Sequence, residues 1–75
     1  MDAESLKRML EEGLGALSVS VEIEGDRALV QIVAERFEGL SKVKRQQMVY
    51  KYLNEAIATG AIHAVTIQAR APSET

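Results

Sequence analysis

The chain has 75 residues, a net charge of −2, one histidine, no cysteine and no tryptophan. That length supports one domain and a single two-layer core, because a chain this short buries only about 60% of the surface it exposes when unfolded. The missing cysteines exclude disulfides, thiol nucleophiles, thiolate zinc sites and iron–sulfur ligation through this chain's own sulfur.

Residues 3–14 carry the pattern of an amphipathic helix. Asp2 suits its N-cap, and Leu6, Met9, Leu10 and Leu14 recur at helical spacing. Glu4–Arg8, Lys7–Glu11 and Arg8–Glu12 are i,i+4 pairs on the wet side, and Gly13 and Gly15 end the helix. Residues 17–24 alternate, with Leu17, Val19, Val21 and Ile23 against Ser18, Ser20, Glu22 and Glu24, as a half-buried strand does. Gly25-Asp26 is a turn. A second strand over 27–35 sets Ala28, Val30, Ile32 and Ala34 on one face, and the short turn makes the two strands an antiparallel hairpin.

Phe37-Glu38-Gly39-Leu40 interrupts the alternation. Ser41 then caps a second helix over 42–58 that stops at Gly60. Its expected inner stripe is Val43, Tyr50, Leu53, Ala56 and Ile57, with Val49 alongside. A third strand over 62–70 puts His63, Val65, Ile67 and Ala69 on the core face and Ile62, Ala64, Thr66, Gln68 and Arg70 on the other. Pro72 ends the order, and residues 71–75 are expected to form a loose tail.

The order is αββαβ in a single α+β domain over residues 1–75. A helical crossover of about 26 residues joins the second and third strands, a length that suits a parallel pair with a right-handed connection. The expected architecture is a two-layer fold, a three-stranded mixed sheet with both helices on one face. No window approaches ~18 uninterrupted apolar residues, so no membrane span is expected. The acidic start Met1-Asp2-Ala3-Glu4-Ser5 does not read as a secretory signal, and a reducing, cytoplasmic location is expected.

Little here points to catalysis. Ser41, His63 and Asp26 can be written down as a serine triad, but most chains offer such a set. Glu11-Glu12 and Glu22/Glu24 fall on solvent-facing positions, and no glycine-rich phosphate loop is present. The expectation is a binding module, not an enzyme, with no small-molecule substrate. Its charge is uneven. Residues 1–35 carry eight acids and three bases, whereas residues 36–51 carry five bases (Arg36, Lys42, Lys44, Arg45 and Lys51) and one acid, Glu38. Gly39-Leu40-Ser41-Lys42 feeds a helix N-terminus, where free N–H groups favour anions. The segment reads either as an ordinary capped helix with a wet basic flank or as a site for anions. His63 reads first as a half-buried structural histidine and second as a metal ligand. One imidazole cannot hold a metal tightly, so a cluster would need ligands from a partner.

Two segments carry a family resemblance. Phe37-Glu38-Gly39-Leu40-Ser41-Lys42-Val43-Lys44-Arg45-Gln46-Gln47-Met48-Val49-Tyr50 resembles the BolA signature F-x-G-x-x-x-V-x-R-x-x-x-V-Y. Ile62-His63-Ala64-Val65-Thr66-Ile67 resembles the family's I-H-A-x-S/T-I segment. Gln46-Gln47 and the short length resemble the YrbA/IbaG-like bacterial branch. The resemblance implies a fold similar to a class II KH domain. It also implies two functional themes. One is partnership with a monothiol glutaredoxin in iron–sulfur trafficking and iron homeostasis, around a 2Fe–2S cluster shared with the glutaredoxin and glutathione. The other is DNA binding in transcriptional or stress regulation. The chain would then hold no cofactor by itself, His63 would be a cluster ligand, and Phe37, Gly39 and His63 would face the partner.

The sequence departs from the family pattern in the loop Glu24-Gly25-Asp26-Arg27-Ala28, where cluster-binding members supply a second histidine or cysteine. Only carboxylates stand there in this chain, and hard oxygen matches a cluster iron poorly. The G-x-x-G clamp of RNA-binding KH domains is also missing, since Lys42 stands three residues after Gly39.

Overall fold

In the computed structural model, which describes residues 2–74, Asp2 caps α1 (Ala3–Leu14) by accepting the Ser5 N–H at 2.7 Å. That bond holds the Asp2 carboxyl below its ordinary pKa, because it stabilises the charged form. At the other end Gly15 sits at φ 60° and donates its N–H to the Glu11 carbonyl, a left-handed cap that glycine adopts without a steric penalty. Gly13 lies inside the helix. A Cβ there would stand 2.6 Å from Cζ of Tyr52, so the missing side chain lets that ring close against α1.

The hairpin forms as the alternation predicts. β1 (Ser18–Glu24) pairs antiparallel with β2 (Arg27–Val33), in a register that sets Val21 opposite Val30, and Gly25-Asp26 makes the turn. After α2 (Lys42–Ala58), β3 (Ala64–Arg70) returns parallel to β2, from Arg27 opposite Ala64 to Val33 opposite Arg70. The sheet order is β1-β2-β3. Leu6, Leu10 and Leu14 of α1 share one buried cluster with Val49 and Leu53 of α2 and with Val19, Val30 and Ile32 of the sheet. Both helices therefore cover the same sheet face, and the other face is open to solvent.

Five sequence expectations are corrected. The second strand ends at Val33, not 35, because a 3-10 turn over Glu35–Phe37 swings Phe37 into the core, where it is fully buried. Leu17 is 63% exposed although it lies on the apolar parity of the first strand. The inner stripe of α2 is Arg45, Val49, Leu53 and Ala56, while Val43, Tyr50 and Ile57 face outward. The tail is not loose through Glu74. Ala71 is fully buried, Pro72–Glu74 forms a second 3-10 turn, and the Glu74 carboxylate accepts the Ala71 N–H at 2.9 Å; Thr75 lies outside the described residues. Nor do the i,i+4 pairs of α1 close. Among the described residues the ion pair that forms is Arg45–Glu74. Exposed helix pairs contribute little in any case.

Candidate functional site

One end of the molecule gathers the turn between β1 and β2, the loop leaving α2, and His63. The loop is fixed by its backbone. Gly60 donates to the Ile57 carbonyl, and the N–H groups of Ala61 and Ile62 both reach the Ala56 carbonyl, at 3.0 and 3.3 Å. Ile62 is buried with Ala28 and Ala56. The N–H of His63 then donates to the Asp26 carbonyl at 2.7 Å, and that of Ala64 to the same oxygen at 3.3 Å. His63 is thereby tied to the hairpin turn, and its own side chain stays exposed.

This corrects the expected place of His63. Val65, Ile67 and Ala69 lie toward the core, as parity predicts, but the strand begins at Ala64. Before that point the alternation does not hold, so Ile62 takes the buried position and the imidazole points away from the core. Among the described residues no hydrogen bond engages the His63 ring. Nε2 would lie 3.7 Å from a Cβ placed on Gly60, so the ring crosses the floor of the loop.

The donor set around it is small. It comprises one imidazole, with the exposed residues Glu24 and Asp26 in the adjoining turn. Among the described residues no group of three or more histidine, cysteine or carboxylate side chains converges. These residues fit one half of a shared site and do not fit a self-contained cluster, because iron–sulfur clusters take thiolate and imidazole in preference to carboxylate.

The triad written down from sequence does not assemble. Ser41 and His63 flank opposite ends of α2, whose 17 residues span about 25 Å at ~1.5 Å per residue. Ser41 Oγ instead accepts the Lys44 N–H, as a helix cap.

The basic segment is taken apart by the fold. Arg45 is buried and forms a two-pronged pair with Glu74, at 2.6 and 2.8 Å, while also donating to the Ala69 carbonyl at 3.2 Å. It is withdrawn from any phosphate-binding role. Arg36 reaches toward the Gly13 carbonyl at 3.5 Å, Lys42 lines a groove beside β3, and Lys44 and Lys51 sit two turns apart on α2. Phe37 is likewise corrected as a partner-facing residue, since none of its surface is free.

Gly39 does remain at the surface. Its φ is 75°, and no atom lies within 4 Å of where a Cβ would stand. Gly39→Ala is therefore expected to act through the backbone alone, at a cost of about 1–2 kcal/mol in a urea titration.

The polar partner that sequence reasoning missed is Glu74, which holds Arg45. No local pattern marks it. Arg45 did carry a signal, for it stands four residues before Val49 on the true stripe.

Comparison with known proteins agrees on one kinship. The family model described as BolA-like protein matches residues 24–74. The acid stress protein IbaG of Escherichia coli K12 is 40% identical over 74 residues, which cover 99% of this chain and 88% of that one. The structure of BolA1 from Arabidopsis thaliana superposes with a TM-score of 0.87 at 31% identity, covering 97% of this chain and 94% of that one. The BolA domain of SufE1 from the same plant gives a TM-score of 0.88 at 27% identity, with the same coverage.

Proposed function

The chain belongs to the BolA-like protein family, and on that premise we propose that it is a non-enzymatic adaptor that docks a monothiol glutaredoxin and shares a 2Fe–2S cluster with it in iron–sulfur trafficking. One observation carries this reading. His63 presents an exposed, unpartnered imidazole on a loop pinned by backbone bonds to the hairpin turn. A ligand held this way loses little freedom on meeting a metal. The cluster is cargo, and its sulfur ligands come from the partner, since this chain has no cysteine.

The stress role named for the Escherichia coli relative is taken over as part of the proposal. A location in the cytoplasm belongs to the same reading; among the described residues no helix is long and apolar enough to cross a membrane. DNA binding ranks second, because with Arg45 withdrawn it rests on Arg36, Lys42, Lys44 and Lys51 alone.

The experiment mixes the chain with a cluster-loaded monothiol glutaredoxin and follows visible circular dichroism. The wild type is expected to change the cluster spectrum, and His63→Ala to leave it as in the glutaredoxin alone. Because His63 is exposed, the substitution should alter folding stability by less than about 0.5 kcal/mol. Identical spectra for wild type and variant would remove His63 from the ligand set. Calorimetry with cluster-free glutaredoxin then separates loss of the ligand from loss of docking.

A further inference from the structure

Beyond that reading, we propose that the free edge of β3, together with the groove beside it, is a docking site for an extended acidic segment of a protein partner. Among the described residues β3 ends the sheet, and β2 is the one strand it pairs with. The Ala34 N–H donates to the Arg70 carbonyl, so the main-chain groups of Arg70 face β2. The alternation of a strand then turns those of Val65, Ile67 and Ala69 outward, and that of Ala71 with them.

Three of these outward groups already have partners. Arg45 donates to the Ala69 carbonyl, the Glu74 carboxylate accepts the Ala71 N–H, and the Glu74 N–H donates to the Ala71 carbonyl. Arg45 and Glu74 are themselves joined as an ion pair. It covers the C-terminal part of the edge, as proteins do to limit uncontrolled strand pairing. Among the described residues the N–H and C=O of Val65 and Ile67, and the N–H of Ala69, stay open. A strand can be added to such an edge through its main chain, with specificity left to alternate side chains.

Beside the edge lies a groove of about 580 Å³. Leu40 and Ile67 give it apolar lining, and Lys42 and Arg70 are its exposed cations. Arg45, also in the lining, is already engaged by Glu74 and is not free for an occupant. The first turn of α2 holds no acid to offset these charges, and the one carboxylate in the groove, Glu74, is matched by Arg45. An occupant that extends the sheet here would send alternate side chains toward these groups, and acidic ones fit them. Nucleic acid fits less well, because no aromatic ring lines the groove for base stacking. The groove is also separate from His63. The strand residues that line it, Ile67 to Arg70, stand four to seven steps beyond His63, roughly 13 to 23 Å at ~3.3 Å per residue.

The test titrates the ¹⁵N-labelled full chain with a blocked hexapeptide alternating glutamate and valine. The amides of Val65, Ile67, Ala69 and Lys42 are expected to shift while that of His63 stays still. A matched lysine–valine peptide should leave all of them unmoved. The double variant Lys42→Glu, Arg70→Glu changes exposed residues only, and is expected to weaken binding by about tenfold or more. N-methylation of alternate peptide bonds in the probe should abolish binding to the unaltered protein, because it removes the strand-forming donors. Absence of binding, shifts confined to another surface, or an affinity indifferent to charge reversal would overturn the proposal. So would displacement of the peptide from these same amides by an oligothymidylate.

Discussion

Phe37→Ala is expected to lower the unfolding free energy by about 3–5 kcal/mol, the range for emptying a fully buried phenylalanine site. The ring has no exposed surface and shares one cluster with side chains from both helices and the sheet. The 3-10 turn that delivers it is closed by its own N–H, which donates to the Ala34 carbonyl at 3.1 Å. Domains are stable by only about 5–15 kcal/mol, and one this small falls toward the lower end. The variant should therefore be partly unfolded at room temperature. Urea titration of wild type, Phe37→Leu and Phe37→Ala reads the effect, with Phe37→Leu between the other two. A partner-facing phenylalanine would behave differently, for its removal would leave the urea midpoint in place and weaken only the complex. An unchanged midpoint for Phe37→Ala would contradict the burial described here.

The second large effect concerns the Arg45–Glu74 pair. Its hydrogen bonds to the Arg45 guanidinium, with the Ala71 N–H assisting, hold the Glu74 carboxyl at about 2 against an ordinary 4.5. The same bonding raises Arg45 above its ordinary value, so the guanidinium stays charged throughout. A carboxyl depressed in the folded state is protonated first in the unfolded state. Its contribution to stability is complete above about 4.5, shrinks as the pH falls, and is gone near 2. Wild type should therefore lose stability on acidification through that window more steeply than Glu74→Gln, which lacks the contribution at every pH.

Substitution patterns offer a further readout of the same pair. Glu74→Ala leaves a buried guanidinium without its counter-charge, whereas Arg45→Met keeps an apolar stem on the stripe and removes the charge. The melting temperatures should fall in the order wild type, Arg45→Met, Glu74→Ala, and the double variant should be no worse than Glu74→Ala. Parallel acid curves for wild type and Glu74→Gln would show that the pair carries no pH-dependent stability.

Much of the architecture was legible because it rests on local rules. Asp2 and Gly15 bracket α1 by capping chemistry that shows in the residue types. The hairpin follows from a clean alternation interrupted by Gly25-Asp26. The phase of α2 was not legible in the same way. Apolar residues occur all round that helix, so Val43, Tyr50 and Ile57 suggested a stripe seven residues apart, while the packed stripe runs through Arg45. An arginine can occupy such a position because its stem packs like a hydrocarbon when its head finds a partner. That partner is Glu74, 29 residues further along the chain, and no local pattern joins the two. His63 was misplaced for a related reason. Strand parity was carried two residues past the point where pairing starts, into a loop set by the Ala56 and Asp26 carbonyls.

The parallel pairing of β2 and β3 has a kinetic consequence. Each residue of β3 stands 37 positions after its partner in β2, the same interval at every rung. The hairpin, by contrast, closes over a few residues from its turn outward. Closing a chain segment of fixed length carries one entropic cost, however many rungs follow. Once α2 has docked and the first rung between β2 and β3 has formed, the rest add without a further loop to close. The expected slow event in folding is then the docking of that helix over a hairpin already formed, with β3 and the turn that holds Glu74 arriving as a single late unit, as φ-values near zero in β3 would show.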